Sequence, residues 1–235
     1  MSLTKDLQKL RNPEKAKILS RFFKTGKGEY GEGDVFLGIP VPEQRKIAKK
    51  YPDLSLTNIQ KLLSSRIHEH RLIALLILIF KYKKTDATGK GEIVDFYLKN
   101  TNNINNWDLV DLSAYHILGD YLLKRDRSIL NRLARSDALW ERRIAILSTF
   151  AFIRNLQFKD TLLICEVLLH DKHDLIQKAA GWMLREIGKR DQATEEQFLK
   201  KHSHTMPRTM LRYAVERFDQ EKRKTYLTAK RRLQK

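Results

Sequence analysis

The stretch WDLVDL, residues 107–112, decides the fold once four other stretches are set beside it. Aligned on Val110, it falls into register with RLIALL on Ala74, RRIAIL on Ala145, QKAAGWML on Ala180 and LRYAVE on Ala214. The steps between these reference positions are 36, 35, 35 and 34 residues. A period held that closely marks a repeat protein, in which each unit is too small to bury its own apolar face and stacks on its neighbours instead. Small residues at the reference position let successive inner helices approach closely. The expected fold is therefore all-α, a HEAT-like helical-repeat solenoid (an α-α superhelix), with tight loops because the period is shorter than the ~40–47 residues usual for such repeats.

Helix signals run along the chain and strand signals hardly appear. Asn12 reads as an N-cap with Pro13 at the first helical position, where proline's fixed φ and missing N–H do no harm; Pro42 reads the same way. The long irregular piece KTGKGEYGEGDVFLG carries five glycines between Gly26 and Gly38 and reads as a flexible connection. One domain is expected over 1–235: an N-terminal helical pair over about 3–23, the Gly-rich loop 24–38, repeats over about 42–218 and a basic tail 219–235.

Forty-six Lys and Arg stand against 28 Asp and Glu, a formal charge of +18, and a field of that sign attracts polyanions, nucleic acid above all. The chain opens MSLTKDLQKL, without an apolar leader, and its longest apolar run, Leu72–Phe80, is far too short to span a bilayer. A cytoplasmic protein, at the nucleoid when bound to DNA, is expected. Cys165 is the sole cysteine, so no internal disulfide or multi-cysteine metal site is available, and the apolar LLICEVLL around it points to a buried structural thiol.

The repeat register also generates columns. Two residues before the reference stand Leu72, Asp108, Arg143, Lys178 and Arg212, which places a cation on each of the last three inner helices and predicts a basic stripe on a concave, DNA-binding surface. One residue after it stand Leu75, Asp111, Ile146, Gly181 and Val215. Asp111 is the polar member of an otherwise apolar or small column, one helical turn from Trp107 and on the same face. Asp108 reads as a first-turn carboxylate favoured by the helix macrodipole, with Asn105 or Asn106 capping.

A carboxylate aimed at a phosphate-binding surface weakens binding unless it meets positive charge. Hydrolysis of an N-glycosidic bond supplies that charge, because the deoxyribose becomes oxocarbenium-like as the base leaves. At ~4 Å and an effective dielectric of ~20 the attraction is on the order of 4 kcal/mol, roughly a thousandfold in rate. The same carboxylate can orient or deprotonate the attacking water. A purine alkylated at N3 or N7 is already cationic and leaves as a neutral molecule, so the second carboxyl that glycoside hydrolysis normally requires is dispensable.

The stretches NNWDLVDL, LWERRIAIL, AAGWMLREIGK and MPRTMLRYAVERF together resemble the AlkD-like DNA alkylation repair family of HEAT-repeat DNA glycosylases, over about Asn12 to Phe218. The resemblance implies a monofunctional glycosylase for N3- and N7-alkylated purines in duplex DNA, working in base excision repair as a monomer, without cofactor or metal and without flipping the base. It implies that Asp111 is the catalytic aspartate, that Trp107 and Trp182 are the two active-site tryptophans facing the sugar, and that Arg143 holds the DNA backbone near the lesion. Arg142, Lys178 and Arg212 are expected to extend the backbone contacts. Phe22, in SRFFK, stands at a DNA-contacting position where the family carries tyrosine, so a hydroxyl contact is lost, and segment 24–38 looks long for the family.

Two other readings stand beside this one. A non-catalytic binder of distorted or branched DNA would not need Asp111, and a protein–protein scaffold would present an apolar groove where this repeat column is cationic. Trp140, in ALWERR, reads as core. The imidazoles of His68 and His70 lie on different helix faces, a poor arrangement for chelation; TGKGEYGEG lacks the phosphate-loop pattern; and no nucleophilic Ser or Cys arrangement appears.

Overall fold

Polar and proline residues write the helix starts of this chain. Asn12 accepts a hydrogen bond from the Lys15 backbone N–H with Pro13 just behind it; Ser55, Asp86 and Asp191 cap in the same way, onto Asn58, Gly89 and Thr194. The computed structural model describes residues 3–228, so the last seven residues of the basic tail lie outside the described residues. Among those described, regular structure is helical, with one isolated parallel bridge between Val35 and Ile67. The protein has an all-α, helical-repeat fold.

The chain divides into two compact units, with the boundary between Ser113 and Ala114. The first holds α1 (Leu3–Lys9), α2 (Pro13–Phe22), α3 (Val41–Ala48), α4 (Leu56–Leu63), α5 (His68–Lys84), α6 (Ala87–Lys99) and nearly all of α7 (Trp107–Ala114). At its centre α5 is buried without interruption from His68 to Ile79 and packs against α3, α4 and α6. An all-apolar run such as LIALLILI suits a helix covered on every side.

In the second unit a π-helical turn over Tyr115–Gly119 leads into α8 (Asp120–Leu122), followed by α9 (Ser128–Ala134), α10 (Leu139–Ser148), α11 (Phe150–Arg154) and α12 (Lys159–Val167). Then come α13 (Asp174–Gly188), α14 (Gln192–His202), α15 (Arg208–Ala214) and α16 (Gln220–Thr228). Helix α13 is the hub, packed against α10, α12, α14 and α15.

The repeat register survives in burial. Ala74, Val110, Ala145, Ala180 and Ala214 are all 0 % exposed, as expected of positions that share one buried column. In the next column Leu75, Ile146, Gly181 and Val215 are buried while Asp111 is half-exposed. Cys165 is fully buried beneath α13, with its thiol pushed up by burial. Trp140 departs from expectation: it sits near the start of α10, half-buried instead of in the core.

The Gly-rich segment is also not the free connection its composition suggests. Glu69, at the start of α5, is 1 % exposed and accepts the backbone N–H groups of Leu37, Gly38 and Ile39. Gly38 has φ +85°, and a Cβ there would fall 2.1 Å from the Asn12 carbonyl oxygen, so the loop seats against the start of α2 only as glycine. Phe36, Leu37 and Ile39 are thereby buried. Local composition hides this anchor, because its acceptor lies about thirty residues downstream.

Close stacking leaves its clearest trace at Gly181, where a Cβ would meet the Met210 carbonyl oxygen at 2.3 Å and the Tyr213 Cβ at 2.6 Å. Gly181→Ala must push α13 from α15, and overpacking of this kind costs about 1–3 kcal/mol. Thermal unfolding should show Tm lowered by roughly 3–10 °C; an unchanged Tm would mean that α15 yields freely.

Candidate active site

Helix α7 starts on Asn106, a fully buried side chain whose Oδ1 accepts the Trp107 backbone N–H at 2.8 Å. The helix then carries Trp107 and Asp111 one turn apart, both half-buried. Phe23 stacks on the Trp107 indole with centroids 5.0 Å apart and planes 14° apart, and Phe22 meets it edge-on at 5.8 Å. Phe23 is buried and Phe22 is 60 % exposed, so adjacent rings serve as support and as surface.

Asp108 is more than the dipole carboxylate expected from its first-turn place. It is buried; its Oδ1 accepts the Leu109 N–H at 2.9 Å, and its Oδ2 lies 2.8 Å from His68 Nε2. The other imidazole nitrogen lies 3.3 Å from Asp34 Oδ2, which also accepts from Arg71 Nη2 at 2.6 Å. Burial works against a charged imidazole, but the Asp108 carboxylate and the hydrogen bonds to Asp108 and Asp34 outweigh it, and His68 is pushed up to about 9. Burial would likewise raise Asp34, yet its bond to His68 and the Arg71 charge hold it below the usual carboxylate range. Two carboxylates and two cations balance inside this unit, beneath Phe23 and Phe36.

Close to Asp111, the buried Tyr97 hydroxyl lies 2.9 Å from Ser113 Oγ, which itself donates to the Leu109 carbonyl. Burial, with the Asp111 charge adding to it, pushes the Tyr97 phenol up, so it stays protonated.

In the second unit Trp182 is half-buried and not core. Its Nε1 donates to Glu186 Oε1 at 3.2 Å, and Glu186 is clamped by Lys189 at 2.5 Å and Arg190 at 3.2 Å. Phe150 lies 6.2 Å from the Trp182 indole and makes an edge contact with Tyr115 at 5.2 Å. The expected cationic stripe is corrected in part. Arg143 is 5 % exposed and donates to the Leu175 carbonyl at 2.6 Å, and Arg142 binds Asp171 at 2.7 Å together with the Ser136 and Asp137 carbonyls. Lys178 is half-buried and paired with Asp174, and Arg212 is exposed. A repeat register predicts which residues share a column; the rotation of each helix decides which of them reach solvent.

The geometry thus brings Phe22, Trp107 and Asp111 together in one unit and carries Trp182, Arg142, Arg143, Lys178 and Arg212 on the inner helices of the other. The model of one protein family, DNA alkylation repair enzyme, matches residues 3–218 of this chain. The chain belongs to that DNA alkylation repair family. A solved structure described as a predicted DNA alkylation repair enzyme from Enterococcus faecalis superposes with a TM-score of 0.71 over 89 % of this chain and 97 % of that one, at 19 % identity. An identity that low speaks for the fold. No curated protein sequence matches the chain. Family membership supports an enzyme acting in the repair of alkylated DNA. Among the described residues no helix is long and apolar enough to cross a membrane, and no three His, Cys, Asp or Glu side chains are grouped to hold a metal ion.

Sequence reading missed the Phe23 stack on Trp107 and the placement of His68 between Asp108 and Asp34. The available signals were the HEH motif and a carboxylate immediately after the tryptophan, but nothing local pairs residues so far apart in the chain.

This buried cluster links stability to pH. His68 gains proton affinity on folding, so its contribution is complete below the ordinary imidazole value of 6.5 and is lost as pH rises through about 9. Asp34 behaves oppositely, its contribution being present above the ordinary 3.8 and lost as pH falls below it. Urea unfolding between pH 6 and 10 should show stability declining at the alkaline end. Asp108→Asn should lower stability at pH 7 by about 3 kcal/mol, since breaking a buried pair strands its partner, and should flatten the decline; an undiminished alkaline decline in that variant would exclude the pair as its origin.

Proposed function

We propose that this protein is a monofunctional DNA glycosylase that hydrolyses the N-glycosidic bond of cationic N3- or N7-alkylated purines in duplex DNA, the first step of base excision repair. Membership of the DNA alkylation repair family supports the substrate class. The observation that carries the reaction is Asp111, a half-exposed carboxylate in a repeat column whose other four members are buried. In a protein of charge +18 such a carboxylate is useful to a ligand that becomes positive.

On this reading the alkylated base, already cationic, departs as a neutral purine while the bonding electrons follow it. Asp111 faces the oxocarbenium left on the sugar and takes the proton of the attacking water as the new C–O bond forms. The products are free base and an abasic site. The half-buried Trp107 offers an indole face to the cationic sugar; Trp182 is assigned the same part by the family resemblance. Phe22, exposed beside Trp107, bears on the backbone near the lesion without the hydroxyl a tyrosine would bring. Arg212 and Lys178 take phosphate contacts, with Arg143 and Arg142 set behind them and orienting neighbouring backbone. The protein would work as a monomer at the nucleoid, with the damaged base left in the stack.

Purified protein incubated with duplex DNA containing N7-methylguanine should release the free base. Asp111→Asn should slow release by roughly a thousandfold while duplex affinity stays within a fewfold. Tight binding by the unaltered protein with no release would sink the enzyme reading and leave a binder of distorted DNA in its place. Binding measured against salt gives a second check: Arg212→Ala should reduce the slope of log K on log [salt] by about 1, and an unchanged slope removes Arg212 from the interface.

A further inference from the structure

The imidazole of His68 has a carboxylate oxygen against each of its nitrogens, Asp108 Oδ2 at 2.8 Å and Asp34 Oδ2 at 3.3 Å. A neutral imidazole has one N–H and can donate to only one of them; the imidazolium donates to both. The charged groups facing the ring are Asp34 from the loop before α3, Asp108 from α7 and Arg71 from its own helix, and Phe23 and Phe36, stacked on each other, pack against it at 5.0 and 4.6 Å. Protonated, the quartet is neutral. With His68 neutral, two buried carboxylates share one guanidinium.

Filling a core does not call for such a cluster, because apolar side chains of similar volume usually stabilise as well or better. Its placement accounts for it. Asp108 directly follows Trp107, and with one oxygen on His68 and the other on the Leu109 N–H it pins the first turn of α7. The Phe23 ring touches His68 on one side and lies parallel to the Trp107 indole, 5.0 Å away, on the other. The ion pair and the ring stack therefore reach the residue that opens the helix carrying Asp111 by two separate routes.

The geometry points to His68, held as an imidazolium between Asp34 and Asp108, as a positioning residue that fixes the Trp107 indole and the first turn of α7. The catalytic consequence rests on the glycosylase reading above; the positioning itself does not. His68 never reaches substrate, so its effect belongs in kcat and not in DNA affinity.

Trp107 can be observed alone in a Trp140→Phe, Trp182→Phe chain, by acrylamide quenching between pH 7 and 10.5. Quenching should change in one transition near the pH where His68 loses its proton, and His68→Gln should abolish that transition. In the chain with all three tryptophans, His68→Gln should lower kcat for N7-methylguanine release at pH 7.5 by about tenfold with KM within about twofold. A Trp107 signal that is flat with pH, or that shifts identically in His68→Gln, overturns the proposal, as does an unchanged kcat in a protein that releases base. Should His68→Gln not fold, Asp108→Asn reads the same point: it removes the charge that most favours protonation, so the transition must move to lower pH, and an unmoved one overturns the proposal. If Trp107 responds as expected while no protein releases base, the positioning stands and the glycosylase reading falls.

Discussion

In the second unit of this chain helices approach one another backbone to backbone, and much else follows from that constraint. A helix pair of this size cannot enclose a core, so each unit must lay its apolar face on the next. The approach is close enough that a methyl group on Gly181 would overlap the Met210 carbonyl, and one on Gly119 the Ser148 carbonyl. Contacts that tight tolerate little substitution. Gly181 belongs to a column whose members other than Asp111 are buried, which is why a half-exposed carboxylate at Asp111 stands out.

Charge is handled differently on the two sides of that carboxylate. Beneath α7, Asp34, Asp108, His68 and Arg71 neutralise one another out of water, and Glu69 is satisfied by three backbone amides. The excess of positive charge remains outside. On the proposed reading a DNA duplex meets cationic side chains and, close to Trp107, a carboxylate. For phosphate binding alone the carboxylate is a liability; for a reaction that creates a sugar cation it contributes stabilisation where the charge appears.

The two proposed active-site tryptophans are also held in similar ways. Each indole is half-buried beside a buried acid matched by cations: Trp107 stacks on Phe23 and directly precedes Asp108, which is bonded to His68, and Trp182 donates its Nε1 to Glu186. On the proposed reading both indole faces must stay partly bare for the sugar, so they are held from behind, by the Phe23 ring at Trp107 and by a hydrogen bond at Trp182.

Much of this was legible in one dimension. Helix starts at Asn12 and Pro13, the five-unit register, the burial of Cys165 and the oddity of Asp111 are consequences of local propensity and period, which a sequence states directly. Exposure within a column was not legible, because the rotation of each helix depends on what it packs against; Arg143 shares its column with Arg212 yet is buried on the Leu175 carbonyl, while Arg212 faces solvent. Trp140 reads as core and is half-buried for the same reason. Nor could local composition show that the Gly-rich segment is anchored on Glu69, or that His68 lies between Asp34 and Asp108, since those partners are thirty to forty residues apart. By itself, then, the sequence determined the repeat, its helices and the one carboxylate out of pattern, all of them properties of spacing. Only the tertiary structure decided which charges are buried together and which side chains remain open to a ligand, because desolvation depends on neighbours distant in the chain.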